Sequence, residues 1–162
     1  MTGTAASVHE LLRARGATVA TAESLTGGRV AALLTSVPGS SDTFVGGVVA
    51  YETELKVSLL GVPPAVVERY GVVSAECARA MAEGARRATG ATWAVSTTGV
   101  AGPGPQDGIP AGTVYIGISG PDTTTAVALE LVGDREAVRD RTCLEVLSAL
   151  SAILTGEETT LG

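Results

Sequence analysis

Ser24 and Lys56 are the two residues of this chain whose types could support a reaction together. Ser24 lies in Ala22-Glu23-Ser24-Leu25-Thr26-Gly27-Gly28, between a short β-prone stretch and a run of helix formers from Arg29 to Leu34. A serine in that place has two readings. Its hydroxyl can cap the helix, satisfying a free N–H of the first turn. It can also be a nucleophile or part of an anion site, because the same N–H groups face whatever stands before the helix. Of the 11 Lys and Arg residues, Lys56 is the only lysine. Arginine stays protonated in proteins, whereas a desolvated lysine can give up its proton and take one from a hydroxyl. The single histidine, His9, and the carboxylates are the other possible bases.

Lys56 follows Tyr51 by about a turn and a half of expected helix, so its stem could reach back across neighbouring strand ends. The Tyr51 phenol, which both donates and accepts, could relay a proton or orient the pair. The backbone N–H groups of Thr26, Gly27 and Gly28 would then hold an oxyanion or a phosphate. The plain alternatives are a solvated Lys56 and a Tyr51 hydroxyl in water.

Other chemistries lack their signatures. There is no phosphate-binding Gly-Lys-Ser/Thr loop, no complete dinucleotide fingerprint, no Gly-x-Ser-x-Gly elbow and no His-Glu-x-x-His. One histidine and two distant cysteines make no transition-metal set, so neither metal nor cofactor is expected.

The elements that must position these residues follow from periodicity and punctuation. Ala5, Val8, Leu11 and Leu12 recur at helical spacing, predicting a helix from Ala5 to Arg15 with His9 off its apolar stripe, in solvent. Strands are predicted at Thr18–Ala22, Phe44–Ala50, Thr92–Thr98, Thr113–Ser119 and Thr123–Val132. Further helices are predicted at Leu25–Leu34, Glu52–Leu60, Pro63–Tyr70, from Ser74 to Thr89, and at Asp134–Leu154. Gly46 and Gly47 inside a strand mark a close backbone approach or a bulge. Gly99 to Gly112 is a broken Gly/Pro loop. Early alternation of strand and helix, followed by a hairpin, predicts an α/β fold: a single three-layer α/β/α domain with a mixed sheet over residues 1–155, and a polar, disordered tail at 156–162. Ligands of such sheets sit beyond the carboxyl ends of strands, where Ser24–Gly28, Tyr51–Lys56 and Thr98–Pro105 fall, with Gly133–Arg139 as a fourth candidate.

The 162 residues are 45% hydrophobic but only 3% aromatic, which calls for an aliphatic core. A net charge of −6 with no basic run argues against nucleic acid as a partner. No leader peptide or membrane span is apparent, and Cys77 and Cys143 are too sparse for a disulfide framework, so a cytoplasmic protein with reduced thiols is expected. The apolar strand at Phe44–Ala50 would permit a homo-oligomer, a dimer being favoured.

Several short motifs, in order, resemble the CinA C-terminal domain family of nicotinamide-nucleotide amidohydrolases. They are Thr21-Ala22-Glu23-Ser24-x-Thr26-Gly27-Gly28, Gly46-Gly47-Val48-Val49-Ala50-Tyr51 with Lys56, Leu59-Leu60-Gly61-Val62, Gly71-Val72-Val73-Ser74, Thr98-Gly99-Val100-Ala101-Gly102-Pro103 and Gly133-Asp134-Arg135-Glu136. The resemblance spans about Val8 to Leu154. It implies hydrolysis of the carboxamide of nicotinamide mononucleotide to nicotinate mononucleotide and ammonia, a salvage step for a small pyridine nucleotide. By matched position it implies Ser24 as nucleophile, Lys56 as base and Tyr51 as auxiliary. Glu23, Thr26, Gly27, Gly28, Gly47, Thr98, Gly99 and Gly102 are the implied substrate-binding positions, with Arg135 for the phosphate. The chain departs from the family pattern at Leu25, where Cys is usual, and at Glu52-Thr53-Glu54, where Ser-Asn-Glu is usual. The loop Gly104–Pro110 also differs in composition, and no amino-terminal molybdopterin-binding-like domain is evident. A catalytically silent nucleotide-binding or sensing module of the same family is the alternative, and a structural subunit without either property a third.

Overall fold

A computed structural model describes residues 2–156. Five strands form one open mixed sheet in the order β2-β1-β3-β4-β5. They are β1 (Val19–Glu23), β2 (Phe44–Val49), β3 (Trp93–Gly99), β4 (Thr113–Ser119) and β5 (Thr124–Glu130). β1 lies parallel to both β2 and β3, while β4 and β5 continue antiparallel, as expected of a hairpin. The helices are α1 (Thr2–Ala14), α2 (Arg29–Thr35), α3 (Thr53–Ser58), α4 (Pro64–Tyr70), α5 (Ala75–Thr89) and α6 (Arg135–Thr155). The expected α/β architecture is therefore present. Residues 157–162, most of the segment expected to be disordered, lie outside the described residues. Among the described residues no helix is long and apolar enough to cross a membrane.

Strand alternation sends successive side chains to two different cores. Val19, Trp93, Val95, Val114, Ile116 and Ile118 face α1, α2 and α6, joining Leu12, Leu34, Leu147 and Leu150. Each such aliphatic side chain, fully buried, contributes about 1.5–3 kcal/mol. Ala20, Ala22 and Ala94 point the other way, towards Leu60, Val62, Cys77 and Met81. Small residues on that face let α5 lie close. A side chain at Gly117 would collide with the Ala78 carbonyl of α5. Gly47 is excluded from carrying a side chain by Thr21 of the neighbouring strand, which is the close approach its place in a strand suggested.

Two local expectations are corrected. His9 is fully buried, with Nδ1 against Thr43 Oγ1 and Nε2 against the Leu34 carbonyl at 2.7 Å. α1 packs on α6 with one side, and the end of α2 and the lead into β2 cover the other. A helix covered on two sides has no solvent face at His9. The second correction concerns α2, which begins at Arg29 rather than Leu25. Gly27 and Gly28 adopt positive φ of 57° and 104°, so residues 24–28 form a turn. Its helix amides are taken by Glu23, described below.

Candidate active site

Sheet register aligns the chemistry. Glu23 pairs with Val49 on one side and Thr97 on the other. The next residues along each strand, Ser24, Ala50 and Thr98, therefore stand at one level; β1 and β2 end there, while β3 runs on through Gly99 against β4. A cleft of about 290 Å³ opens there. Ser24, Tyr51, Lys56, Thr98, Gly99, Gly102 and Arg135 line it, all predicted from the sequence. Leu25, Thr53, Val72, Val73 and Gln106 line it as well and escaped that prediction. Thr53 and Gln106 are polar residues next to matched motifs, a weak signal. Val72 and Val73 lie inside the matched motif Gly71-Val72-Val73-Ser74, but apolar side chains carry no sign of a binding role. A larger depression of about 630 Å³ lies at the opposite end of the sheet, around Arg86, Arg87 and Ser119–Thr124. It is shallower and has no serine–lysine pair.

Lys56 is only 1% exposed. Its Nζ donates to Ser24 Oγ at 3.0 Å, to the Ala50 carbonyl at 2.8 Å and to the Tyr51 carbonyl at 3.1 Å. Burying an ammonium is costly, so the Lys56 pKa is pushed below its ordinary value by desolvation. The neighbouring Cys77 thiol is itself pushed up to about 11 by burial, so it is uncharged near neutrality and offers Lys56 no compensating charge. Two carbonyls fix two of the amine hydrogens. The third direction points at Ser24, and it holds a proton in the ammonium and a lone pair in the amine. That is the arrangement a base needs to take a serine proton.

The pair is held by a closed ring of contacts. The Glu23 carbonyl accepts from the Ala50 amide at 2.9 Å, and Ala50 in turn binds Lys56, which binds Ser24. Ser24 also donates its amide to the Thr97 carbonyl at 3.0 Å. α6 grips the same turn, because Arg139 Nε donates to the Leu25 carbonyl at 2.9 Å. Arg29 ties α2 to α6 through Glu136 and Asp140, each at 2.7 Å, and its hydrogen bond holds the Glu136 carboxyl below the usual range.

Ser24 does not cap α2. Its hydroxyl partners Lys56, and the residue at the cap position is Gly28. Glu23 satisfies the helix instead, accepting from the amides of Gly28 at 3.2 Å, Val30 at 2.8 Å and Ala31 at 3.0 Å. Glu23, Thr26, Gly27, Gly28 and Gly47 stand outside the cleft lining. Nor are the Gly27 and Gly28 amides free for an oxyanion, since the Ser24 carbonyl and Glu23 already take them. Leu25 lines the cleft, and among the described residues its amide finds no acceptor. Tyr51 is 60% exposed and its hydroxyl accepts from Arg135 at 3.3 Å, so it reaches the dyad through its main-chain carbonyl rather than its phenol. Arg135 also donates to the Gly102 carbonyl at 2.7 Å, bridging the rim. Among the described residues no group of three or more His, Cys, Asp or Glu side chains is placed to hold a metal ion.

Comparison with known proteins bears on the family and the fold. The family model described as CinA C-terminal domain matches residues 1–154. A CinA-like protein of Frankia casuarinae is 47% identical over 156 residues, 94% of this chain and 36% of that protein. One from Myxococcus xanthus is 51% identical over 139 residues, 83% of this chain and 32% of that protein. The chain thus spans about a third of the length of these curated relatives. Among solved structures, a competence-damaged protein (CinA) superfamily protein from Klebsiella pneumoniae superposes with a TM-score of 0.92 at 32% identity, covering 96% of this chain and 98% of that one. A competence/damage inducible protein from Agrobacterium tumefaciens gives 0.83 at 32% identity, covering 92% and 96%.

Proposed function

Since the chain belongs to the CinA C-terminal domain family, we propose that it hydrolyses the carboxamide of nicotinamide mononucleotide through a Ser24–Lys56 dyad. The observation that carries this reading is the buried Lys56 amine, 3.0 Å from a cleft-lining serine and with its other hydrogens fixed by carbonyls. A lysine buried merely as structure has no need of a hydroxyl that also faces a cleft.

In the forward reaction neutral Lys56 takes the Ser24 proton as Oγ attacks the amide carbon. The Leu25 amide stabilises the developing oxyanion, the role played by the residue after the nucleophile in other serine hydrolases. The tetrahedral adduct collapses, the C–N bond breaks, and Lys56 returns its proton to the departing nitrogen, releasing ammonia. Water, deprotonated by Lys56, then attacks the acyl-enzyme and frees the carboxylate and Ser24. Among the described lining residues Arg135 brings a permanent positive charge to the cleft and no carboxylate lines it, which suits a phosphate-bearing substrate. Arg135 at the rim is the phosphate ligand, where it would exchange its Gly102 and Tyr51 contacts for the anion.

Ammonia release from nicotinamide mononucleotide tests the reading, with nicotinamide riboside as the phosphate-free control. Ser24→Ala and Lys56→Arg are expected to abolish release while remaining folded. Full activity in either variant overturns the dyad. The alternative of a silent nucleotide-binding module draws on Thr53, a cleft-lining hydroxyl where relatives usually carry the Asn carboxamide. Tight calorimetric binding with the nucleotide recovered unchanged favours that module.

A further inference from the structure

Glu23 is a carboxylate 1% exposed, beside the nucleophile yet outside the cleft. No basic side chain pairs with it among the described residues. Four donors converge on it instead: the Gly28, Val30 and Ala31 amides and the Thr26 hydroxyl, the last at 2.7 Å. A carboxylate only accepts, so Thr26 must spend its proton on Glu23. The Thr26 oxygen, 2.8 Å from Thr97 Oγ1, can then serve Thr97 only as acceptor. Thr97 therefore points its proton at Thr26 and leaves its own oxygen open to the Ser24 amide, 3.3 Å away, as the longer arm of a bond that the amide shares with the Thr97 carbonyl at 3.0 Å. The chain of hydrogen bonds has one direction, from Ser24 N–H through Thr97 and Thr26 to Glu23.

We propose that Glu23 is a positioning residue that acts through Thr26 and Thr97 to hold the Ser24 main chain, and hence its hydroxyl, in line with Lys56. The inference rests on Ser24 being the nucleophile. By relieving α2 of its need for a hydroxyl cap, the carboxylate also leaves Ser24 Oγ free for the amine. A neutral amide cannot replace it. A glutamine with its oxygen towards Thr26 sets its NH₂ against the Ala31 amide. Turned over, it sets its NH₂ against the Gly28 and Val30 amides, which share the oxygen that Thr26 reaches, and it reverses the chain by donating to Thr26. Each orientation forces two donors together.

The experiment follows the rate at which Ser24 is phosphonylated by a fluorophosphonate, read by peptide mass spectrometry, together with kcat and KM for nicotinamide mononucleotide. Thr26→Val keeps the shape and loses the hydroxyl, while Thr26→Ser keeps the hydroxyl. The valine variant is expected to slow labelling and kcat by about 10- to 100-fold, the scale of a misplaced reacting group. KM should change less than about two-fold, because Thr26 touches no cleft surface. Thr26→Ser restores both rates, and a folded Glu23→Gln behaves like the valine variant. Labelling of Thr26→Val at the wild-type rate, or a serine variant as slow as the valine one, overturns the inference and leaves the dyad standing. Failure of wild-type Ser24 to label, or labelling indifferent to Lys56→Arg, removes the nucleophile and this inference with it.

Discussion

Ser24 and Ser74 occupy the same kind of place and do opposite things. Each precedes a helix, and they are 8% and 7% exposed. Ser74 stands in extended backbone immediately before α5, accepts from the Cys77 amide at 3.1 Å and donates to the Gly71 carbonyl at 2.8 Å. Its proton has nowhere else to go, because an amide N–H cannot accept it. Ser24 is set back from α2 by a four-residue turn, and a neighbouring carboxylate takes over the capping. Its partner is an amine whose burial favours the neutral form. Exposure does not separate the capping serine from the proposed nucleophile. What separates them is whether the partner can take a proton, and whether some other group caps the helix.

Substitution should split the two serines cleanly. Ser24→Ala is expected to lower ammonia release by on the order of 10⁴-fold or more, as loss of the nucleophile does in serine hydrolases. Ser74→Ala should leave turnover within about three-fold, as a capping loss outside the cleft acts on stability. Equal losses in the two variants would erase the distinction.

A rim variant shows whether the cleft divides binding from chemistry. Arg135→Ala is expected to raise KM for nicotinamide mononucleotide by about 10- to 100-fold, the worth of charge-assisted hydrogen bonds to an anion. kcat should move little, and KM for the riboside should not move. A matching rise for the riboside would take the phosphate away from Arg135.

The difference between the two partners also predicts a pH dependence. The proposed reaction needs unprotonated Lys56, so kcat/KM is expected to climb about ten-fold per pH unit at low pH and to level off above the Lys56 pKa. Because burial lowers that pKa, the plateau begins below pH 10.5, the ordinary lysine value. A profile still rising at 10.5 would return Lys56 to the ranks of solvated lysines.

The smallest effect falls on the capping serine. Ser74→Ala is expected to cost about 1 kcal/mol of stability in urea denaturation, with an unchanged denaturant slope. Ser24→Ala loses no helix cap, so a comparable loss with a fraying α2 would show that Ser24 caps after all.

Much of the architecture was legible because it depends on near neighbours. The Ser74 cap, Pro63-Pro64 at the start of α4, the Gly120-Pro121-Asp122 turn between β4 and β5 and the long apolar period of α6 are each decided within a few residues. The candidate site was legible in its membership of Ser24, Lys56, Thr98 and Arg135, through motif match and the lack of other bases. Two readings could not be made. His9 is buried by residues 25 and 34 positions away, and Glu23 caps α2 across a turn that two left-handed glycines bend.

The sequence by itself determined which groups were available: one serine in a strand-to-helix turn, one lysine, and small residues on one sheet face. Only the tertiary structure decided their state. Ser24 and Lys56 lie 32 residues apart, and parallel pairing of β1 with β2 and β3 brings them within 3.0 Å. Desolvation of the amine comes from its burial between the ends of β1 and β2 and α5, beside Ser24, the Ala50 and Tyr51 carbonyls and Cys77. A hydrogen bond, a cap and a helical period are local. A lowered lysine pKa is a property of everything packed around the nitrogen, and no stretch of chain contains it alone.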